Sequence, residues 1–340
     1  MPRAVHLVGS VPLATSEEVF RAAAAAFGEQ IKRIPDGETG ARGDWVQWLT
    51  HILRAHPQFE LPGGSIDYSA GRDVRNYYRV KPGIDPAAVR FGELGYAEAA
   101  RESYAVFARL VAQGVIPAAT RFLVAMPTPL AFLQVLIAPD QRAALEKAYT
   151  QAVKEEIAAL ATVVPAAKLA IQWDTVFEIL ILEGVRKSGI DDTRAGLIER
   201  LRRLGAELPA EVDLGYHFCY GDMGHKHSLE PPHMGVMVDL ANDLARALPH
   251  RIDFVHMPVP RGRDDDAYFA PLARLALNRQ TELYLGLVHF TDGIEGTRRR
   301  MATAARVRPE FGIATECGFG RRNPETVRRL LDIHAEAAND

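Results

Sequence analysis

Cysteine is scarce. Only Cys219 and Cys317 occur among the 340 residues, too few and too far apart for a disulfide framework, so a reducing cytoplasm is the expected compartment. Neither sign of charge dominates: 40 basic against 43 acidic residues leave a net charge of -3 and a pI near 6.4. That balance makes no electrostatic case for a nucleic-acid or membrane partner. No long uninterrupted apolar run is present. The most lipid-like stretch, "FLVAMPTPLAFLQVLIAP" at 122–139, contains Pro127, Pro129, Pro139 and Gln134, which suits a buried strand, a turn and a helix start. The opening "MPRAVHLVGSVPLA" meets Pro12 too early for the apolar core of a secretory signal. No G-x-G-x-x-G follows the first apolar run, so a dinucleotide site is not indicated. Internal repeats and low-complexity tails are also absent.

What is there is an alternation. Short apolar runs at 4–10, 31–37, 121–127, 168–174, 213–219, 252–258, 283–290 and 311–317 have the composition of parallel strands buried on both faces. Helical periods fill most of the intervals, at 16–29, 97–114, 138–164, 191–205, 235–248, 268–278 and 295–307, and a last helix covers 323–337. Ser16 is the expected N-cap of the first, Gly114 and Gly205 are stop signals, and Asn323-Pro324-Glu325 has the order of a helix start. Eight strand–helix units make the fold class α/β, a single (β/α)8 TIM barrel occupying residues 1–340 as one domain. The interval 39–95 is long for one connection. It carries a helix at 44–56 and a Gly/Pro-rich stretch, and is expected as a loop insertion after strand 2 that lies over the barrel mouth.

Barrels of this kind do their chemistry at the C-terminal strand ends. Ser10, Asp36, Glu38, Asp174, His217, Cys219, His256, His289 and Cys317 all fall at those ends. Residues i and i+2 of a strand share a face, so His217 and Cys219 can reach one ion, and Cys317 can meet them from the eighth strand end. Thiolates with imidazole suit zinc over magnesium or calcium. The alternative is a pair of buried cysteines beside a satisfied histidine. His225 and His227 in "GDMGHKH" are further metal candidates or residues of a solvated loop. Arg321 and Arg322 follow the eighth strand, where they clamp an acidic substrate tail or serve as solvated helix-entry charges. "DWVQW" reads as core helix rather than as a stacking platform.

In order, "VGSVP", "PDGETGARGDWVQW", "MPTP", "QWDTV", "HFCYG" and "ECGFG" resemble the motifs of the catalytic barrel of cobalamin-independent methionine synthases, within the wider methionine synthase and uroporphyrinogen decarboxylase-like superfamily. The resemblance runs from Val8 to about Arg322. It implies His217, Cys219 and Cys317 as zinc ligands, and Glu38 and Asp174 as the carboxylates that hold an amino-acid substrate; Asp36, Ser10 and Arg321, at the same strand ends, are further substrate-binding candidates. It departs at the remaining ligand, where His256 stands for a glutamate, either as the fourth ligand or as a supporting or substrate-contacting residue with water in the ligand's place, and at the proton-handling motif after the seventh strand. There "HFTD" places Thr291 where a histidine is expected, with His289 and Asp292 nearby as catalytic proton sources. The implied function is a zinc-dependent methyl or alkyl transferase that activates a thiol such as homocysteine for attack on a donor. Its partners would be a small-molecule thiol and an alkyl donor; the oligomeric state is left open. The alternatives are a lyase or ring-opening enzyme with the same barrel mouth, or a binding barrel without turnover.

Overall fold

A computed structural model describes residues 2–62, 76–221 and 227–340. Asp222, His225 and part of the 39–95 interval lie outside the described residues. The first helix, α1 (Ser16–Phe27), is capped by Thr15, one residue before the expected Ser16; its hydroxyl accepts from the Glu18 N–H. Strand β1 (Arg33–Pro35) follows. The helix expected at 44–56 is broken: a 3-10 turn over Gly40–Leu49 kinks at Asp44 and Trp45, and only α2 (Thr50–Ala55) is α-helical. Two short antiparallel strands, β2 (Phe59–Glu60) and β3 (Arg79–Val80), precede α3 (Tyr96–Ala112). Gly114 closes that last turn at φ +71°, as its stop signal implies.

From there strands and helices alternate: β4 (Arg121–Pro127), α4 (Pro129–Leu136), α5 (Arg142–Val163), β5 (Leu169–Thr175), α6 (Phe177–Leu182) and α7 (Arg194–Ala206). Gly205 does not stop α7 but lies inside it. A Cβ there would fall 2.7 Å from the Tyr216 hydroxyl, so the glycine permits close packing on the sheet. Then come β6 (Asp213–Phe218), α8 (Gly235–Ala247), β7 (Phe254–Pro258) and the single-turn α9 (Asp266–Phe269). The helix expected at 268–278 ends early because Pro271 lacks the N–H to continue it, and a 3-10 turn takes over. Strand β8 (Glu282–Val288), α10 (Gly293–Val307), β9 (Gly312–Thr315) and α11 (Val327–Ala338) complete the chain.

The main sheet is parallel and seven-stranded, in the order β1-β4-β5-β6-β7-β8-β9, rather than eight-stranded as the apolar runs suggest. In the run 4–10 only Val5 pairs, bridging Ile31 on one side and Ile313 on the other. From Ser10 onward the backbone bonds to loops instead: the Phe319 N–H donates to the Ser10 oxygen and the Val11 N–H to the Gly37 oxygen. Val5 thereby joins the two edges of a sheet curled roughly as in a TIM barrel. Across the sheet's N-terminal end, buried Arg33 of β1 pairs with Asp213 of β6 and Glu282 of β8, each at 2.7 Å, and lies 4.3 Å from the Phe254 ring centroid. One cation thus ties three strands of the floor together. Helices cover the outer face of the sheet, whose strands are buried almost throughout. Among the described residues no helix is long and apolar enough to cross a membrane.

Candidate metal and substrate site

Parallel register places Asp174, His217 and His256 side by side on β5, β6 and β7. His217 is the fifth of the six β6 residues, and the chain leaves the strand directly into Cys219. Cys317 follows the end of β9 on the other side of the mouth. The His217 Nε2 and the two sulfurs lie within 4.8 Å of one another. Cys219 Sγ is 3.9 Å from Cys317 Sγ, which is 3.8 Å from His217 Nε2. Donors on a tetrahedral zinc, with Zn–S about 2.3 Å and Zn–N about 2.05 Å, stand roughly 3.8 Å apart for two sulfurs and roughly 3.6 Å for sulfur and nitrogen. These two separations are close to those values, and the three side chains together could hold a metal ion.

His256, expected as the fourth ligand, is placed behind the cluster. Its Nδ1 meets His217 Nδ1 at 2.6 Å and its Nε2 meets the Thr315 oxygen at 2.9 Å. Burial drives both imidazoles well below the ordinary histidine range, helped at His217 by the His256 ring and at His256 by His6.

The three metal-ligand candidates open onto a cavity also lined by Ser10, Glu38, Trp45 and Asp174. Glu38 belongs to a strained turn: its own φ is +49° and that of Gly37 is +82°. Asp36 holds the turn by accepting from the Glu38 N–H at 2.9 Å, the Arg42 guanidinium at 2.6 Å and the Ser103 hydroxyl at 2.9 Å. Asp36, expected at the substrate, thus orients the Glu38 loop. Gly9 leaves room for the Glu38 carboxylate, since a Cβ there would fall 3.4 Å from Oε1. Burial, reinforced by the Asp174 charge and opposed by Arg42, pushes the Glu38 carboxyl up to about 8. Burial likewise pushes Asp174 up to about 7, against hydrogen bonds from Gln172 and Trp45.

Those two donors escape a sequence-only view. Trp45 Nε1 donates to Asp174 Oδ2 at 3.0 Å, from a backbone at φ +46°, so the "DWVQW" segment contributes to the cavity wall as well as to the core. Gln172, fully buried in β5, donates to Asp174 Oδ1 at 3.0 Å and to the Val8 oxygen at 2.6 Å; its own oxygen accepts from His6 Nε2 at 2.8 Å. An amide in the middle of an apolar strand is the signal that could have found it.

His289 and Asp292, expected as proton sources, do not line this cavity. Asp292 receives two bonds from the buried Arg300 guanidinium, at 2.7 and 3.0 Å. His289 donates Nε2–H to the Val259 oxygen at 2.9 Å, and its Nδ1 faces Glu316 Oε2 at 3.1 Å. Burial, helped by the Arg300 charge, pushes its imidazole down to about 3 against the Val259 hydrogen bond and the Asp292 charge. Arg322 turns inward to Glu316 at 3.1 Å, whereas exposed Arg321 stays on the cavity rim with Arg186. His227 packs edge-on to Tyr220, the ring centroids 5.6 Å apart, and does not join the metal cluster.

No family model matches the chain, and no curated protein matches it. Solved structures do. A B12-independent methionine synthase from Shewanella sp. W3-18-1, in complex with selenomethionine, aligns over 100% of this chain and 97% of its own, with a TM-score of 0.65 at 14% identity. A methyltransferase from Methanosarcina mazei aligns over 98% of this chain and 94% of its own, with a TM-score of 0.56 at 12% identity. The chain thus shares the fold of a B12-independent methionine synthase and of a methyltransferase, in agreement with the resemblance carried by its motifs.

Proposed function

We propose that the protein is a zinc-dependent methyl or alkyl transferase acting on a thiol that also carries an amine, homocysteine being the natural candidate. The observation that carries this is the spacing of His217 Nε2, Cys219 Sγ and Cys317 Sγ, all within 4.8 Å of one another, in the wall of the cavity that also holds Glu38 and Asp174. His217, Cys219 and Cys317 would hold the zinc. When bound, zinc supplies the Lewis acidity that keeps a thiol deprotonated, and so nucleophilic, at neutral pH.

The rest is done by side chains of the chain itself. Glu38 and Asp174 receive the ammonium group, and Trp45 and Gln172 hold the Asp174 carboxylate in place for it. Ser10 lies between Glu38 and the Gly318–Gly320 turn, where it can meet the substrate's polar end. The cavity lining also includes the apolar side chains of Val135, Val176, Phe177 and Leu180, together with Arg186 and Arg321. That combination suits a donor with an apolar body and an anionic part, held in line with the sulfur. The chain acts as one catalytic barrel, the Val5 segment taking the place of the eighth strand. Residues 44–47 of the 39–95 insertion form part of the cavity lining. Two reduced thiols at the site favour the cytoplasm.

The test is product analysis. Purified protein is supplied with homocysteine and a panel of methyl donors that includes methylated folates and methylcobalamin. An S-methylated thiol that forms with wild type and is lost with Cys219→Ser supports the proposal. Turnover that releases a lyase product and transfers no methyl group refutes it.

A further inference from the structure

Two buried imidazoles touch beneath the cavity, and only one faces the sulfurs. His256 Nε2 lies 2.9 Å from the Thr315 backbone oxygen. A carbonyl only accepts, so Nε2 of His256 carries a proton. In a neutral ring, Nδ1 of His256 is then an acceptor. The proton in the 2.6 Å contact between the two rings therefore belongs to Nδ1 of His217. That leaves Nε2 of His217 with a free lone pair, and this is the atom 3.8 Å from Cys317 Sγ. The neutral state follows from burial: the rings are 2% and 0% exposed, where an imidazolium bonded only to neutral acceptors is strongly disfavoured.

We propose that His256 is a positioning residue and not a ligand: it relays the acceptor character of the Thr315 carbonyl through its own ring and locks His217 in the Nδ1–H tautomer, with Nε2 presented for the metal. This rests on the metal reading above. Both nitrogens of His256 are already engaged, Nδ1 with His217 at 2.6 Å and Nε2 with the Thr315 oxygen at 2.9 Å, so neither is left for the ion. The same residue braces the sulfur side, since the Thr315 hydroxyl donates to the Cys317 oxygen at 2.6 Å. One residue of β9 thus orients the imidazole ligand through its carbonyl and one thiol ligand through its hydroxyl. The register of β6 against β7, which sets His217 opposite His256, brings the rings into contact.

The tautomers can be read without metal. Long-range 15N–1H correlation spectra of the metal-free protein should show His217 protonated on Nδ1 and His256 on Nε2. His256→Asn keeps an acceptor where Nδ1 was; it should retain the His217 tautomer and bind cobalt(II) within a few-fold of wild type. His256→Ala should bind about 10- to 100-fold more weakly while keeping the two-thiolate charge-transfer band of wild type. Metal-free His217 protonated on Nε2 overturns the inference, as does an alanine variant with wild-type affinity or an asparagine variant no tighter than alanine. Should the alanine variant fail to fold, the wild-type tautomers and the asparagine variant decide. Wild type that binds no metal would sink the proposed function, whereas the tautomer spectrum would still judge the relay.

Discussion

At pH 7 the carboxyl of Glu38, pushed up to about 8, is largely protonated, and that of Asp174, pushed up to about 7, is about half so. A raised carboxyl favours the fold in its protonated form. Its stabilising contribution is therefore complete below the usual carboxylate range and is lost as the pH climbs through 7 and 8. An ammonium entering between the two reverses the balance by favouring both charged forms. Binding of an amine-bearing thiol should therefore release protons, and its affinity should rise from pH 6 to pH 8. Calorimetry in buffers of different ionisation heat measures this; proton uptake on binding would contradict it. Trp45→Phe removes one of the two donors that favour the Asp174 carboxylate. The pH midpoint should move upward, and KM for the thiol should rise about 5- to 10-fold, corresponding to about 1–1.5 kcal/mol. At this scale the sequence was partly legible. His217, Cys219, Cys317, Glu38 and Asp174 share the cavity because strand ends are readable from apolar runs. The roles of Asp36 and His289 were not, and that of His256 stayed open between ligand and supporting residue, because these depend on which neighbour each side chain turns toward.

Among the elements, the turn from β1 into the 3-10 segment is the most constrained. Gly37 combines φ +82° with a Val19 methyl 2.6 Å from where its Cβ would lie. Gly37→Ala should destabilise by at least ~1–2 kcal/mol from the left-handed backbone alone and should also displace Glu38, so KM rises together with the loss of denaturant midpoint. Gly28, at φ +50° with open space around it, is the control: Gly28→Ala carries a backbone cost of the same order, ~1–2 kcal/mol, but displaces no cavity residue and should leave KM unchanged. At the start of α10, burial works against the charge of Asp292, but its bonds from Arg300 outweigh this and hold the carboxyl below its usual range. That stability is present above the usual carboxylate range and fades as the pH falls through the folded value. Asp292→Asn should therefore cost about 1–3 kcal/mol while kcat per folded molecule is kept; a large loss of kcat in fully folded protein would return Asp292 to the chemistry. The strands of the main sheet were legible from their apolar runs, whereas the run at 4–10 pairs only through Val5 and the short pair β2 and β3 was not anticipated. The segment at 44–56 was not, because nothing in its helical period announces the left-handed backbone at Trp45.

For the whole molecule, the curled parallel sheet brings residues from opposite ends of the chain to one mouth. Order along the chain, strand by strand, was enough to anticipate that convergence, because parallel strands place all their C-terminal ends on one side. The choice of donor and acceptor was less legible, since it depends on the shape of a cavity assembled from six or more separate segments. The proposed function rests on an imidazole and two thiols acting together on one divalent ion. Metal analysis of purified protein is the most direct check. Close to one zinc per chain is expected in wild type, with little left in Cys219→Ser or Cys317→Ser protein that remains folded. Equal zinc in wild type and both variants, or none in any of them, would contradict it.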